Sequence, residues 1–504
     1  MKPSVASGLK DAFLTVDAQI KAGRIQAAAG HLARVAREFT MKRWSHEDRV
    51  SFAELCRRSG LFTLGLRTLA PLIRGDAGLL KRAPVRWMTT YAALLTKVGS
   101  LDEAIQILSL QTEADSDIDL YLAYAHLGRW DYKTAGAHLE RYLKWPGLGD
   151  YQRMVGMVNL AAAQVKNLEF GPASELLGII RQECHARNWK LLSRNSMEIS
   201  AELAIEVGDL NSAEQFIGGI ESETMGDRYD LFVALQRSRL VLLRFGPNAK
   251  TLGALAEVRK TALGMDQWEP VRIIDSVVAD RTENQGLADR VFFGTPYPSF
   301  RERLLERLSS WYCPSEHFIW TPGDEPRSAR RLDVARGREA DGPAAMKAGQ
   351  ANHRLLVALT ADFYRPASIG ALHSQIFPTQ YFNPMTAPQR VANVVNRLRT
   401  WCMAGDLDVQ ISMSAYRCQI NPSSSVAFEF HLSSRQQRLD DSTGFRMSLE
   451  KLKSTADGAF KSELAARRLN LSLRSANNLL KWGCDHQILE RFGRGRATRY
   501  KFSA

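Results

Sequence analysis

Ala201-Glu202-Leu203-Ala204-Ile205-Glu206-Val207-Gly208-Asp209-Leu210-Asn211-Ser212-Ala213 decides how the first half of this 504-residue chain is read. Apolar and small residues recur at helical spacing up to Val207. Gly208 then ends the helix, because glycine enters a left-handed turn without the strain of a Cβ. Leu210 and Ala213 open a second helix, and the small residue lets a neighbour approach closely. The same unit precedes it as Gly23-Arg24-Ile25 with Ala28, Gly60-Leu61-Phe62 with Gly65, Gly99-Ser100-Leu101 with Ala104, and Gly128-Arg129-Trp130. A degenerate copy has Leu168 in the glycine place, then Phe170 and Ala173, and a weak copy sits at Gly246. The turns are spaced by 37, 39, 29, 40, 40 and 38 residues. That is the period of two-helix units that must stack, since none buries its apolar face alone.

Over roughly Leu9–Leu263 this pattern resembles degenerate tetratricopeptide repeats. Ala92-Ala93, Ala123, Ala125 and Ala161-Ala162-Ala163 line the first helices in the same manner. The resemblance implies an α-solenoid over residues 1–265 with a concave face that receives a protein or peptide. Residues 1–100 carry 17 basic and 7 acidic residues, and residues 101–326 carry 23 and 33. Either the later concave face is acidic and prefers a basic partner, or these charges form a solvated outer face. Tyr121, Tyr124, Trp130, Trp145 and Trp189 are expected mostly in packing and otherwise along a ligand groove. Periodicity fades near residue 265. Residues 266–326 read as a helical, Pro-rich connector, in which residues 291–326 carry Pro296, Pro298, Pro314, Pro322 and Pro326 and a short helix over Phe300–Trp311.

Charge separates the two ends. Arg327–Ala504 holds 27 Lys+Arg against 14 Asp+Glu, whereas Met1–Pro326 holds 40 of each. A positive field confined to one end is suited to a polyanion. Two modules are read there. In the first (327–420), Leu332-Asp333-Val334 reads as a strand and His353–Asp362 and Ser368–Phe377 as helices. A long helix follows from Ala387 to Cys402, then a hairpin over Leu407–Ile420. Val395-Asn396-Arg397-Leu398-Arg399 and Tyr416-Arg417 resemble the OmpR-type winged helix. The resemblance implies that the long helix enters the major groove. Gln389, Arg390, Asn393, Asn396 and Arg397 would then face base edges, which Arg, Asn and Gln read bidentately, and Arg417 would lie on the wing. Ala415 replaces the family's glycine, and a helical array stands where a receiver domain is usual, so phosphorylation control is not implied. Val391, Val394, Val395 and Trp401 leave a packing or dimerisation role open for the same helix.

Residues 421–442 read as a linker with one strand, Val426–Leu432. The second module (443–504) has a short helix from Phe460 to Leu469 and a turn at Asn470-Leu471. A helix capped by Ser472 then runs over Leu473–Cys484. Strands around Gly493-Arg494-Gly495-Arg496 complete a helix-turn-helix with a wing, the arrangement of many bacterial regulators. Its core is expected from Leu464, Leu469, Leu471, Ala476, Leu479, Leu480, Ile488 and Leu489. Arg474, Ser475, Asn477, Asn478 and Lys481 would face DNA, and Arg494, Arg496 and Arg499 would meet phosphate or the minor groove.

The expected fold is thus mostly α: a solenoid followed by two small α+β winged-helix domains. The sequence predicts a cytoplasmic, nucleoid-associated bacterial regulator that binds double-stranded DNA, with no cofactor and a homodimer possible. The rivals are an interaction scaffold whose modules dock proteins and a nonspecific nucleic-acid binder. The chain contains no P-loop, HExxH or GxSxG motif, which argues against an enzyme. The ten histidines and six cysteines show no metal-ligand spacing, so no metal is expected. No run of about 18 apolar residues reads as a membrane span.

Overall fold

The computed structural model describes residues 5–39, 44–75, 78–113, 115–221, 227–321, 330–340, 342–414, 416–432, 449, 452–453, 458–469, 473–485, 488–493 and 498–502. The side chains of 5–7, 227–230, 474, 475 and 485 are not among them. The protein is mostly helical, with small sheets toward its C-terminal end.

The helices come in pairs. α1 (Val5–Lys21) precedes α2 (Ile25–Glu38), α3 (His46–Arg58) precedes α4 (Phe62–Ile73), and α5 (Val85–Val98) precedes α6 (Leu101–Ser109). Next come α7 (Ser116–Gly128) and α8 (Tyr132–Leu143), α9 (Asp150–Lys166) and α10 (Phe170–Ala186), and α11 (Lys190–Val207) and α12 (Leu210–Glu221). Each helix packs on its sequence neighbour, and α1, α3, α5 and α7 pack successively on one another. Gly99 and Gly208 take the left-handed conformation with φ of 85° and 78°. Gly128 does not. It ends α7, and Trp130 supplies the left-handed residue with φ 59°. A bulky residue holds that backbone only when packing over-determines it. Here the Trp130 ring stacks on Tyr297 at 4.8 Å and on the Arg272 guanidinium at 4.9 Å.

The pairing outlasts the point where the glycine pattern fades. α13 (Asp227–Phe245) and α14 (Ala249–Gly264) are followed by α15 (Trp268–Thr282) and α16 (Gln285–Phe293), then by α17 (Pro298–Leu308). α9, α11, α13 and α15 again pack in succession. Asp266 and Glu283 replace glycine as the left-handed residues, at φ 54° and 47°, which is why the sequence gives no turn signal there.

A mixed sheet then forms in the order β1-β7-β2-β3. Its strands are β1 (His317–Trp320), β2 (Arg330–Asp333), β3 (Arg338–Glu339) and, much later, β7 (Val426–His431). Between them lie α18 (Ala351–Leu359), β4 (Ala367–Ser368), α19 (Ile369–Ile376), α20 (Ala387–Ala404), β5 (Val409–Met413) and β6 (Arg417–Pro422). The strand expected in a linker is therefore an inner strand of this sheet. β7 pairs antiparallel with β1 and parallel with β2. Phe428 and Phe430 are buried, and the Phe363 ring lies 5.1 Å from Phe430 and 4.5 Å from Trp320. Burying those aromatics is the force that brings the strand home, so the sheet spans residues 317 to 431, beyond the expected 327–420.

This module is embedded in the helical array. One hydrophobic core runs from Val50 through α15–α17 into α18–α20 and β7. A Cβ on Gly370 would collide with the Val98 carbonyl oxygen, so α19 rests directly on the α5–α6 turn. Glu103 on α6, buried and ion-paired with Arg74, accepts a hydrogen bond from the Phe382 amide at 2.7 Å. Arg272 on α15 donates to both carboxylate oxygens of Asp362 at 2.7 and 2.8 Å, walled in by Trp130, Tyr297 and Tyr364.

The last unit consists of α21 (Ser462–Arg468), α22 (Leu473–Asp485), β8 (Leu489–Phe492) and β9 (Arg499–Phe502). It has its own core. Ala476, Leu479, Leu480 and Leu489 are buried as expected, and Leu464, Leu469 and Ile488 pack against them. Leu471 and Ser472 lie outside the described residues. Phe460, Trp482, Tyr500, Leu449 and Leu452 complete the core. Phe460 and Tyr500 exchange two backbone hydrogen bonds of 2.8 Å, which set Phe460 as a one-residue antiparallel bridge beside β9.

Candidate nucleic-acid interface

α20 is amphipathic in a way that separates its two expected roles. Val391, Val394, Val395, Leu398 and Cys402 are buried in the core that the module shares with the helical array. Gln389, Asn393, Asn396, Arg397 and Thr400 are exposed, at a spacing that places them on one stripe of a helix. The valines that left dimerisation open are thus already occupied. Thr400 belongs to the polar stripe and was missed, because threonine carried no base-reading signature in the sequence.

α20 is positioned from both sides. Ser368 caps α19 by accepting from the Ala371 amide at 3.3 Å, which sets the short helix ahead of α20. Arg399 donates through Nε to the Ile411 carbonyl at 3.1 Å, tying α20 to the hairpin. It also donates to Asn396 Oδ1 at 3.0 Å. Gln389 Nε2 donates to Asn393 Oδ1 at 3.0 Å. Each pair orients an amide and leaves donor and acceptor atoms facing out. Phe377, Arg390, Asn393, Asn396 and Arg397 line an open concavity of about 490 Å³. Four of the five residues expected to face bases therefore converge on one surface.

Two arginines sit differently from expectation. The Arg390 guanidinium lies 4.1 Å over the Phe377 ring, so it forms the wall of the concavity and does not project from it. Arg417 stacks on Trp268 of α15 at 4.5 Å. It belongs to the face of β6 opposite the buried Cys418 and Ile420, turned to the helical array. This cation–π contact ties the hairpin to the helical array, while the Arg417 side chain stays exposed. Arg397 has no ion pair or hydrogen bond among the described residues.

Beneath the surface, His373 on α19 is fully buried, and neither ring nitrogen has a protein partner among the described residues. Burial, with the nearby Arg390 charge adding to it, pushes its pKa down to about 4. The imidazole is therefore neutral packing at neutral pH.

In the second unit, Asn477, Asn478 and Lys481 are exposed along α22, and Arg499 is exposed on β9. The side chains of Arg474 and Ser475, and all of Arg494 and Arg496, lie outside the described residues. Lys461, Arg467, Arg468, Lys481, Arg491 and Arg499 are exposed and engage in no ion pair among the described residues.

The histidines do converge in one place that spacing could not show. His317 and His431 are cross-strand partners of β1 and β7, and their rings lie 4.6 Å apart.

No described helix is long and apolar enough to cross a membrane. Compared with protein-family models and with curated proteins, the sequence finds no match.

Proposed function

We propose that this protein is a sequence-specific, double-stranded-DNA-binding transcriptional regulator. In this reading α1–α16 are a tetratricopeptide-like solenoid that receives a protein or peptide signal. α18–α20 with their hairpin, and α21–α22 with theirs, are two winged helices. The observation that carries the reading is the exposed stripe Gln389-Asn393-Asn396-Arg397 on a helix whose apolar side is buried within the protein's own core. A helix with amides and a guanidinium facing out is equipped to read purine edges, and unpaired cations on the second unit supply affinity for phosphate. Joined in one chain, the two units bind one duplex with the second contact effectively intramolecular.

The test is selection of bound fragments from a random duplex pool by the full-length protein at near-physiological salt. The expected outcome is a recovered motif. Asn393→Ala and Arg397→Ala should each lower the preference for it by about 1–3 kcal/mol. Retained binding without a motif would sink the sequence-specific reading. The full chain is required, because a fragment starting at Arg327 lacks β1 and the array surface that holds α19.

A further inference from the structure

We infer that the outer face of the β1-β7-β2 sheet is a divalent transition-metal site of the zinc class, built from His317, Glu429 and His431 with Asp333 beside them. Strand alternation creates it. Phe318 and Trp320 on β1, Phe428 and Phe430 on β7 and Leu332 on β2 turn to the core. The intervening residues must therefore share the opposite face. Register then does the rest: His317 pairs with His431, and both Ile319 and Asp333 pair with Glu429. Three segments distant in the chain thus bring two imidazoles and two carboxylates to one spot.

The geometry suits a metal. One donor atom from each of His317, Glu429 and His431 lies within 4.8 Å of the others. Glu429 Oε1 is 3.8 Å from His317 Nδ1 and 3.7 Å from His431 Nε2. A tetrahedral ion with bonds of about 2.0–2.1 Å holds its donors about 3.3 Å apart, so a small rotation of the exposed His317 closes the set. Asp333 is preorganised as well. Its Oδ1 accepts from the Ala335 and Arg336 amides at 2.8 and 3.0 Å, leaving Oδ2 3.4 Å from His431 Nε2. Arg336 competes for that same Oδ2, with its Nε at 3.6 Å on an exposed side chain. Two imidazoles select zinc, cobalt or nickel over magnesium or calcium, which prefer oxygen donors. An ion here would pin the strand leaving the helical array to both ends of the following module. It would thereby couple metal supply to the body that carries α20.

The experiment uses full-length protein stripped by a chelator and titrated with Co(II), then with Zn(II). One equivalent of Co(II) should give the absorption of a tetrahedral site, and Zn(II) should abolish it. The double variant His317→Gln/His431→Gln, checked for intact helicity by circular dichroism, should bind at least tenfold more weakly. The single variant His317→Cys, in a Cys313→Ser background, should add a thiolate-to-cobalt charge-transfer band, which a merely structural histidine would not produce. Stoichiometric binding unchanged in the double variant, no charge-transfer band in the cysteine variant, or no binding by the wild type would each overturn the site. None of these results depends on whether the protein binds DNA.

Discussion

The two C-terminal units carry similar charge but use it in opposite ways. Residues 327–420 contain 12 basic and 6 acidic residues, and residues 443–504 contain 13 and 5. In the first unit most arginines are engaged internally. Arg330 pairs with Glu339, Arg336 leans on Asp333, and Arg399 bonds the Ile411 carbonyl. Arg390 covers Phe377 and Arg417 covers Trp268. In the second unit the described lysines and arginines stand almost all exposed and without ion pairs, although Lys453 lies over Phe502. The first unit is also continuous with the array's core, whereas the second closes on its own. A charge count therefore locates a positively charged end but does not say which of its arginines are available to a partner. Under the proposed function this contrast becomes a division of labour, in which the embedded unit would read sequence and the independent unit would supply electrostatic grip.

The largest test breaks the embedding. Arg272→Ala removes the buried partner of Asp362 and empties an aromatic enclosure, and loss of one member of such a pair costs about 3–5 kcal/mol. Chemical denaturation should show the transition of the array and first unit moving together, with the second unit's transition unmoved. If the first unit's transition separated from the array's in the wild type, the shared core would not be cooperative and the comparison would fail. Next in size is the double change Asn393→Ala/Arg397→Ala. It should cost about 1–3 kcal/mol per lost base contact and broaden the selected motif. The slope of log affinity against log salt should fall by no more than about 0.9, since one cation is removed. A uniform loss on all duplexes would assign α20 to phosphate binding instead.

Much of this was legible in advance, for identifiable reasons. The turns at Gly99 and Gly208 announced themselves because a left-handed residue selects glycine, and α19, α20 and the hairpin fell within a few residues of expectation. The stripe on α20 was legible because helical periodicity fixes which residues share a face. What stayed hidden depends on partners remote in sequence. β7 looked like a linker strand because its neighbours, β1 and β2, lie across the whole module. Arg417 looked free because Trp268 is on another element. α15 and α16, expected only as part of a helical connector, gave no sign of continuing the pairing because Asp266 and Glu283 replace glycine in their turns. The approach of His317 to His431 follows from register alone, which no local pattern encodes.

A pH titration tests the embedding without disturbing the surface. His373 stays neutral in the fold down to about 4, whereas in the unfolded chain it takes a proton near 6.5. The stability tied to its neutral form is complete above about 6.5 and is lost as the pH falls through about 4. By linkage the loss is about 2 kcal/mol at pH 5. His373→Leu should remove that component of the pH slope from the array transition and leave the second unit's untouched. An unchanged slope would mean that His373 is not the sensitive group in the docked surface.

The smallest expected effect sharpens the other half of the comparison. Lys481 and Arg499 are exposed on α22 and β9. If the second unit grips phosphate, Lys481→Ala and Arg499→Ala should each lower the salt slope by about 0.9 and weaken every duplex alike, with the selected motif unchanged. Affinity at low salt should drop more than at high salt, because exposed charges are screened. A change of motif in either variant would mean that the second unit reads bases too. The free-standing unit would then be a second reader, and the contrast between an embedded reader and an independent grip would have to be abandoned.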